Sequence, residues 1–155
     1  MTAKNDMAMQ KCELETIFLA AKARGFLKPT LRTEDFIFSL APSTGKNPDA
    51  VYVVDRVSKT YMGKIKNNWF QPGQDYNDTP ENRQSILATM QSPRAEAMKY
   101  GVQTGSCSIC GRTLNNKISI FNNIGPICAE KMGFPISIPL DMNDKDLSEI
   151  DMDMI

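Results

Sequence analysis

Leu14, Ile17, Phe18 and Ala21 recur at helical spacing within residues 10–24, with Lys11, Glu15 and Lys22 between them and Gly25 placed to end the turn. The spacing predicts an amphipathic helix. Cys12 lies about 160° around that helix from Leu14, off the apolar stripe, where an ordinary half-exposed cysteine is expected. The period then changes to two. Phe36–Leu40 reads as a short strand running into the loop PSTGKNPD, whose composition marks a turn region. Residues 50–57 (AVYVVDRV) and 61–66 (YMGKIK) are β-prone runs separated by Ser-Lys-Thr, which suits a hairpin with a three-residue connection. A small antiparallel sheet of three strands is expected.

After the loop QPGQDYND, Thr79-Pro80-Glu81 supplies a helix N-cap, a first-turn proline and a first-turn acid, predicting a helix through Met90. Ser92-Pro93 repeats that grammar for a second short helix, with Lys99 in its last turn and Gly101 available to end it. Ile86, Leu87, Met90, Ala95 and Met98 are the expected core contacts of this pair. No internal repeat or low-complexity run is present.

At 155 residues, 41% hydrophobic and 23% charged, the chain suits one ordinary core with a small appendage. No apolar run approaches the roughly 18 residues of a membrane helix. The N-terminus has no apolar stretch of the secretory type, so a reducing, cytoplasmic setting is expected, in which clustered cysteines are metal ligands rather than disulfides. Histidine is absent, which removes the commonest general base, the Ser/His and Cys/His nucleophile pairs and all Cys/His zinc sites. The formal charge of zero is segregated: residues 141–155 hold six acids against Lys145, a net −5, leaving +5 on residues 1–140. Such segregation bears on partners rather than on fold.

The cysteines bring in the candidate chemistry. Cys107 and Cys110 form a C-x-x-C pair and Cys128 follows after 17 intervening residues, the spacing of a structural zinc site. Gly111 lets the backbone turn so that its amides face thiolate sulfur. Arg112–Phe121 is expected to form a small hairpin around Asn115-Asn116, and Gly125-Pro126 to start a helix with Cys128 in its first turn, where a thiolate is favoured. Knuckle, hairpin and helix in that order make a treble-clef-like zinc finger.

The segments CSICGRTL, Ser119 and NIGPICAEKMG resemble a small, mostly uncharacterised domain family of phages and bacteria with the signature CxxCGRxL, then Ser, then GxGPxCA. The resemblance covers about residues 100–134, with Asn123 where the family usually has Gly. It implies proximity to nucleic-acid metabolism and no catalytic activity. A treble clef would take its fourth ligand three residues after Cys128, where Lys131 stands. Cys12, a carboxylate such as Glu130, water or a cysteine of a second chain are the candidates for that position.

The expected protein is α+β: an N-terminal helix, a small antiparallel sheet and two short helices (1–101), a zinc-finger-like module (102–134) and an acidic, flexible tail (135–155). Zn2+ is the expected cofactor, with a structural role. Tyr52, Tyr61 and Trp69 interleave with Lys59, Lys64 and Lys66 in the sheet region, and Arg112, Lys117 and Lys131 lie near the finger. Aromatics that stack bases beside cations that meet phosphates suit single-stranded nucleic acid. The alternative arrangement puts the aromatics in the core and the lysines on a solvated face. The tail ends in Asp151, Met152, Asp153, Met154 and Ile155, an acidic, apolar-tipped segment fitted to a basic groove on a partner protein. Two functions lead: a non-enzymatic, phage-type zinc protein that binds nucleic acid or a replication or transcription complex, and a protein-binding phage factor that inhibits or redirects a host enzyme; a hydrolase or nuclease using the zinc comes third.

Overall fold

The computed structural model describes residues 11–139. Helix α1 (Glu13–Ala23) is followed by five strands, β1 (Thr30–Arg32), β2 (Phe36–Leu40), β3 (Val51–Asp55), β4 (Tyr61–Lys66) and β5 (Trp69–Pro72). Helices α2 (Pro80–Gln91), α3 (Pro93–Thr104), α4 (Lys117–Asn122) and α5 (Pro126–Met132) complete the chain. The strands form one antiparallel meander in the order β1-β2-β3-β4-β5. Alternation decides what each face meets. Leu31, Phe36, Phe38, Leu40, Val51, Val53, Ile65 and Phe70 point into one core with Leu14, Phe18, Ile86 and Met90 of the helices.

Two more strands form than the three expected. β1 and β5 are only three and four residues long, too short to show an alternation. The turn between β4 and β5 is Asn67-Asn68, both at positive φ (54° and 65°), as a two-residue hairpin turn requires. That turn is fastened to α1. The Glu15 carboxylate accepts the Asn67 and Asn68 amides (3.0 and 2.8 Å), and the Asn68 side chain accepts the Cys12 amide (2.9 Å).

α2 starts as its sequence grammar predicts, with Thr79 Oγ1 accepting the Asn82 amide at 3.1 Å. α3 differs from expectation. Gly101 does not end it; the helix runs on to Thr104 and Gly105 takes the left-handed position at φ 71°. Gly101 is instead buried under the Asn123 carbonyl, and a Cβ built there would lie 2.0 Å from that oxygen. The buried face of α3 is Pro93, Ala97, Tyr100 and Gly101; Ala95 is exposed and Met98 half-buried. Because α3 crosses positions 101 and 102, and because Cys107, Ile109, Ala129, Met132 and Phe134 share a cluster with Leu14, Phe18 and Phe38, sheet and cysteine segment have a common core. No described helix is long and apolar enough to cross a membrane.

Gly101→Ala is expected to lower stability by about 1–3 kcal/mol from overpacking against Asn123, although alanine is the better helix former by about 1 kcal/mol. The urea unfolding midpoint checks this, and an unchanged or higher midpoint would refute the close approach.

Candidate metal centre

The knuckle is built by backbone hydrogen bonds. Cys107 N–H donates to the Arg112 carbonyl and Gly111 N–H to the Cys107 carbonyl, both at 2.8 Å, while Gly111 sits at φ 80°. Ser106 and Thr113 bridge across its base. The expected hairpin over 112–121 is replaced by α4. Asn116 Oδ1 accepts the Ser119 amide and Ser119 Oγ the Asn116 amide (2.8 and 3.2 Å), a reciprocal cap that favours helix over strand. α4 ends at Asn123 in the left-handed region. Pro126 then opens α5 and sets Cys128 in its first turn, as expected.

The Sγ atoms of Cys107, Cys110 and Cys128 lie within 4.8 Å of one another. Sulfurs on one tetrahedral zinc ion would stand ~3.8 Å apart at a Zn–S distance near 2.3 Å, so the set fits a metal with small adjustment. Cys107 is buried, Cys128 half-buried and Cys110 exposed. The Gly125 amide donates to Cys107 Sγ at 3.5 Å. Hydrogen bonding with Cys110 and Cys128 holds the Cys107 thiol far below its ordinary range, while hydrogen bonding with Cys107 and Cys110 pushes Cys128 up. Three crowded sulfurs thus compete for protons, and a dication accepting all three as thiolates relieves that conflict.

Cys12 does not join them, and it is not half-exposed. It precedes the first helical turn (φ −83°, ψ 103°) as the N-cap of α1, so the helical angle of about 160° does not apply to it. Its Sγ accepts the Glu15 amide at 3.4 Å with only 1% of the residue exposed. Burial pushes its thiol up to about 11. Glu130 is exposed on α5.

The knuckle also closes the outer edge of the sheet. Arg32 N–H on β1 donates to the backbone oxygen and to Oγ of Ser108 (both 2.9 Å), and Ser108 Oγ donates back to the Arg32 carbonyl at 2.6 Å. The Arg32 guanidinium reaches the carbonyls of Ser108 and Ile109 (3.2 and 2.9 Å). Arg32 and Ser108 carried no recognisable signal in the sequence, since this pairing spans 76 positions.

Five of the nine proposed nucleic-acid residues share the sheet face opposite the core. The register sets Tyr52 against Lys64 and Lys66 against Trp69, and a shift between Val53 and Val54 puts Tyr61 beside Val54 on the same side. The rings of Tyr52 and Tyr61 meet edge to face at 5.9 Å. Thr30, Arg32, Ile37, Ser39 and Gln71 lie on the same face. Lys64 donates to Asn47 Oδ1 and Lys66 to the Pro48 carbonyl (2.7 and 3.0 Å). Lys59 sits on the β3–β4 connection, bonded to the Arg56 carbonyl, and Lys117 opens α4. Arg112 and Lys131 line a cleft at the thiols. Asp151, Met152, Asp153, Met154 and Ile155 lie outside the described residues.

Among known proteins, a family of unknown function (DUF6011) matches residues 97–133, the end of α3 through α5. No curated protein and no solved structure matches the chain.

Metal analysis of the purified protein is expected to find one zinc ion per chain, lost in Cys107→Ser; equal metal content in the two would dismiss the site. With metal removed, a thiol reagent at neutral pH should modify exposed Cys110 first and Cys12 only on unfolding. Early loss of the Cys12 thiol would contradict its burial.

Proposed function

We propose that this chain is a non-enzymatic, zinc-stapled protein that binds single-stranded nucleic acid on the open face of its sheet. The observation that carries the reading is the register, which gathers Tyr52, Tyr61 and Trp69 with Lys64 and Lys66 on the face that the core does not use. Among the described residues, no strand carboxylate shares that face. Asp55 pairs with Phe36 on the core side and accepts the Val57 and Ser58 amides of its own turn (3.1 and 2.8 Å). Such a surface offers rings for stacking, worth about 1–3 kcal/mol per base, and cations for phosphates.

The metal supports this face rather than acting on the ligand. Cys107, Cys110 and Cys128 would hold zinc, which supplies a cross-link between the knuckle and α5. Among the described residues no carboxylate lines the cleft beside it, and the chain has no histidine, so none of them offers a general base there. The phage and bacterial resemblance of residues 100–134 supports a setting in nucleic-acid metabolism. A protein-binding phage factor is the second reading. It is favoured by Ile120 and Phe121, adjacent on α4 and 55% and 54% exposed, and by the acidic, apolar-tipped sequence 151–155.

A labelled single strand should bind with an affinity that falls as salt rises. Trp69→Ala should weaken binding about five- to hundredfold, and Lys64→Ala with Lys66→Ala should flatten the logarithmic salt slope by about 1.4. Failure to bind at low salt, with and without residues 141–155, would overturn the reading in favour of the protein-binding one.

A further inference from the structure

This inference rests on the metal reading above and concerns the fourth coordination position. A zinc ion held by three thiolates has one further tetrahedral corner. The thiols open into a cleft of about 510 Å3 whose other lining includes Arg112, Thr113, Asn115, Asn116, Ser119 and Lys131. Apart from the three cysteines, no described residue of that lining is a carboxylate or thiol, and histidine is absent from the chain. Cys12 is committed to capping α1. Among the described residues, no side chain of the usual ligand types is available to fill the corner.

The cleft has a definite chemical character. Zinc with three thiolates carries a net −1, and Arg112 and Lys131 raise the local sum to +1. The Arg112 guanidinium has no ion pair among the described residues, and Lys131 Nζ stands 5.3 Å above the Phe26 ring. Asn115, Asn116, Thr113 and Ser119 surround them with amide and hydroxyl groups. The volume lies within the range of small-molecule sites. Thiolate-rich zinc centres are commonly completed by a fourth sulfur, while two cations in the cleft lining favour a negative charge on the rest of the ligand.

We propose that the fourth position is a binding site for a small thiol bearing a carboxylate. The thiol enters as thiolate, its proton passing to solvent, and its sulfur completes the coordination shell while the carboxylate faces Arg112 and Lys131.

Cobalt-loaded protein tests this, because sulfur-to-cobalt charge transfer counts the thiolates directly. Titration with thioglycolate should increase that absorption saturably, with the metal retained on gel filtration. Affinity should exceed that for the uncharged thiol 2-mercaptoethanol by roughly two- to thirtyfold, after correction for their thiol acidities, as two exposed ion pairs allow. Arg112→Ala with Lys131→Ala should abolish the preference, and so should 0.5 M salt acting on the unaltered protein. Cobalt bound through thiolates but indifferent to thioglycolate would overturn the proposal and leave the metal site standing. An absorption that changes on protein dilution would overturn it too, by placing a second copy in the corner. Absence of any thiolate charge-transfer band would remove the metal reading itself.

Discussion

The clasp between β1 and the cysteine knuckle is the constraint on which the rest depends. An outer strand presents unpaired amides and carbonyls, and here Ser108 satisfies those of Arg32, while the carbonyls of Ser108 and Ile109, the two residues between Cys107 and Cys110, accept its guanidinium. The knuckle can do so only in the tight turn that brings Gly111 N–H back to the Cys107 carbonyl. That turn crowds two sulfurs together, and α5 adds a third within 4.8 Å. The metal reading and the sheet are therefore mechanically one problem. Whatever stabilises the three thiolates also fixes the edge strand, and Ile109 between them is buried in the common core.

At the other end of the sheet a second clasp uses no metal. Glu15, Cys12 and Asn68 exchange hydrogen bonds between the start of α1 and the β4–β5 turn. Here a carboxylate accepts two backbone amides, a charge-assisted arrangement stronger than a neutral pair. α1 runs from this clasp to α5, which it also contacts, and the Arg24 guanidinium at its end donates to the Lys131 carbonyl at 2.7 Å. The helix thus connects the two ends of the sheet across the core. Among the described residues, the helices that share the core with the sheet pack on the face of Phe38 and Val53.

How far this was legible in the sequence follows the range of the forces involved. β2, β3 and β4 appear wherever alternation runs for five or six residues, and Thr79-Pro80 and Gly125-Pro126 mark helix starts through local backbone chemistry. Three cysteines at metal spacing are equally local. What escaped depended on distant partners. β1 is too short to show a period, and its outer side is satisfied by Ser108, 76 positions away. Gly101 looks like a helix stop until Asn123 is seen pressing on it. Cys12 was placed by a rotation that holds only inside a helix, and it stands one residue before it. The 112–121 segment is the exception, since the Asn116–Ser119 reciprocal cap was present in the sequence and was outweighed by the turn propensity of Asn115-Asn116.

The side on which the aromatics fall also could not be read from alternation alone. Tyr52, Lys64, Lys66 and Trp69 follow from parity once the pairings are known, but Tyr61 stands three positions from Lys64, and strict alternation would send it into the core. The shift between Val53 and Val54 reverses that parity and returns Tyr61 to the Tyr52 ring. Phe70, one residue beyond Trp69, takes the core position instead. The face therefore keeps three aromatic rings that a regular strand would have reduced to two. The ammonium groups of Lys64 and Lys66 are held by Asn47 and the Pro48 carbonyl in the loop between β2 and β3, and the Asn47 side-chain amide also donates to the Tyr52 hydroxyl. The register and the loop before β3 thus fix where these rings and ammonium groups stand.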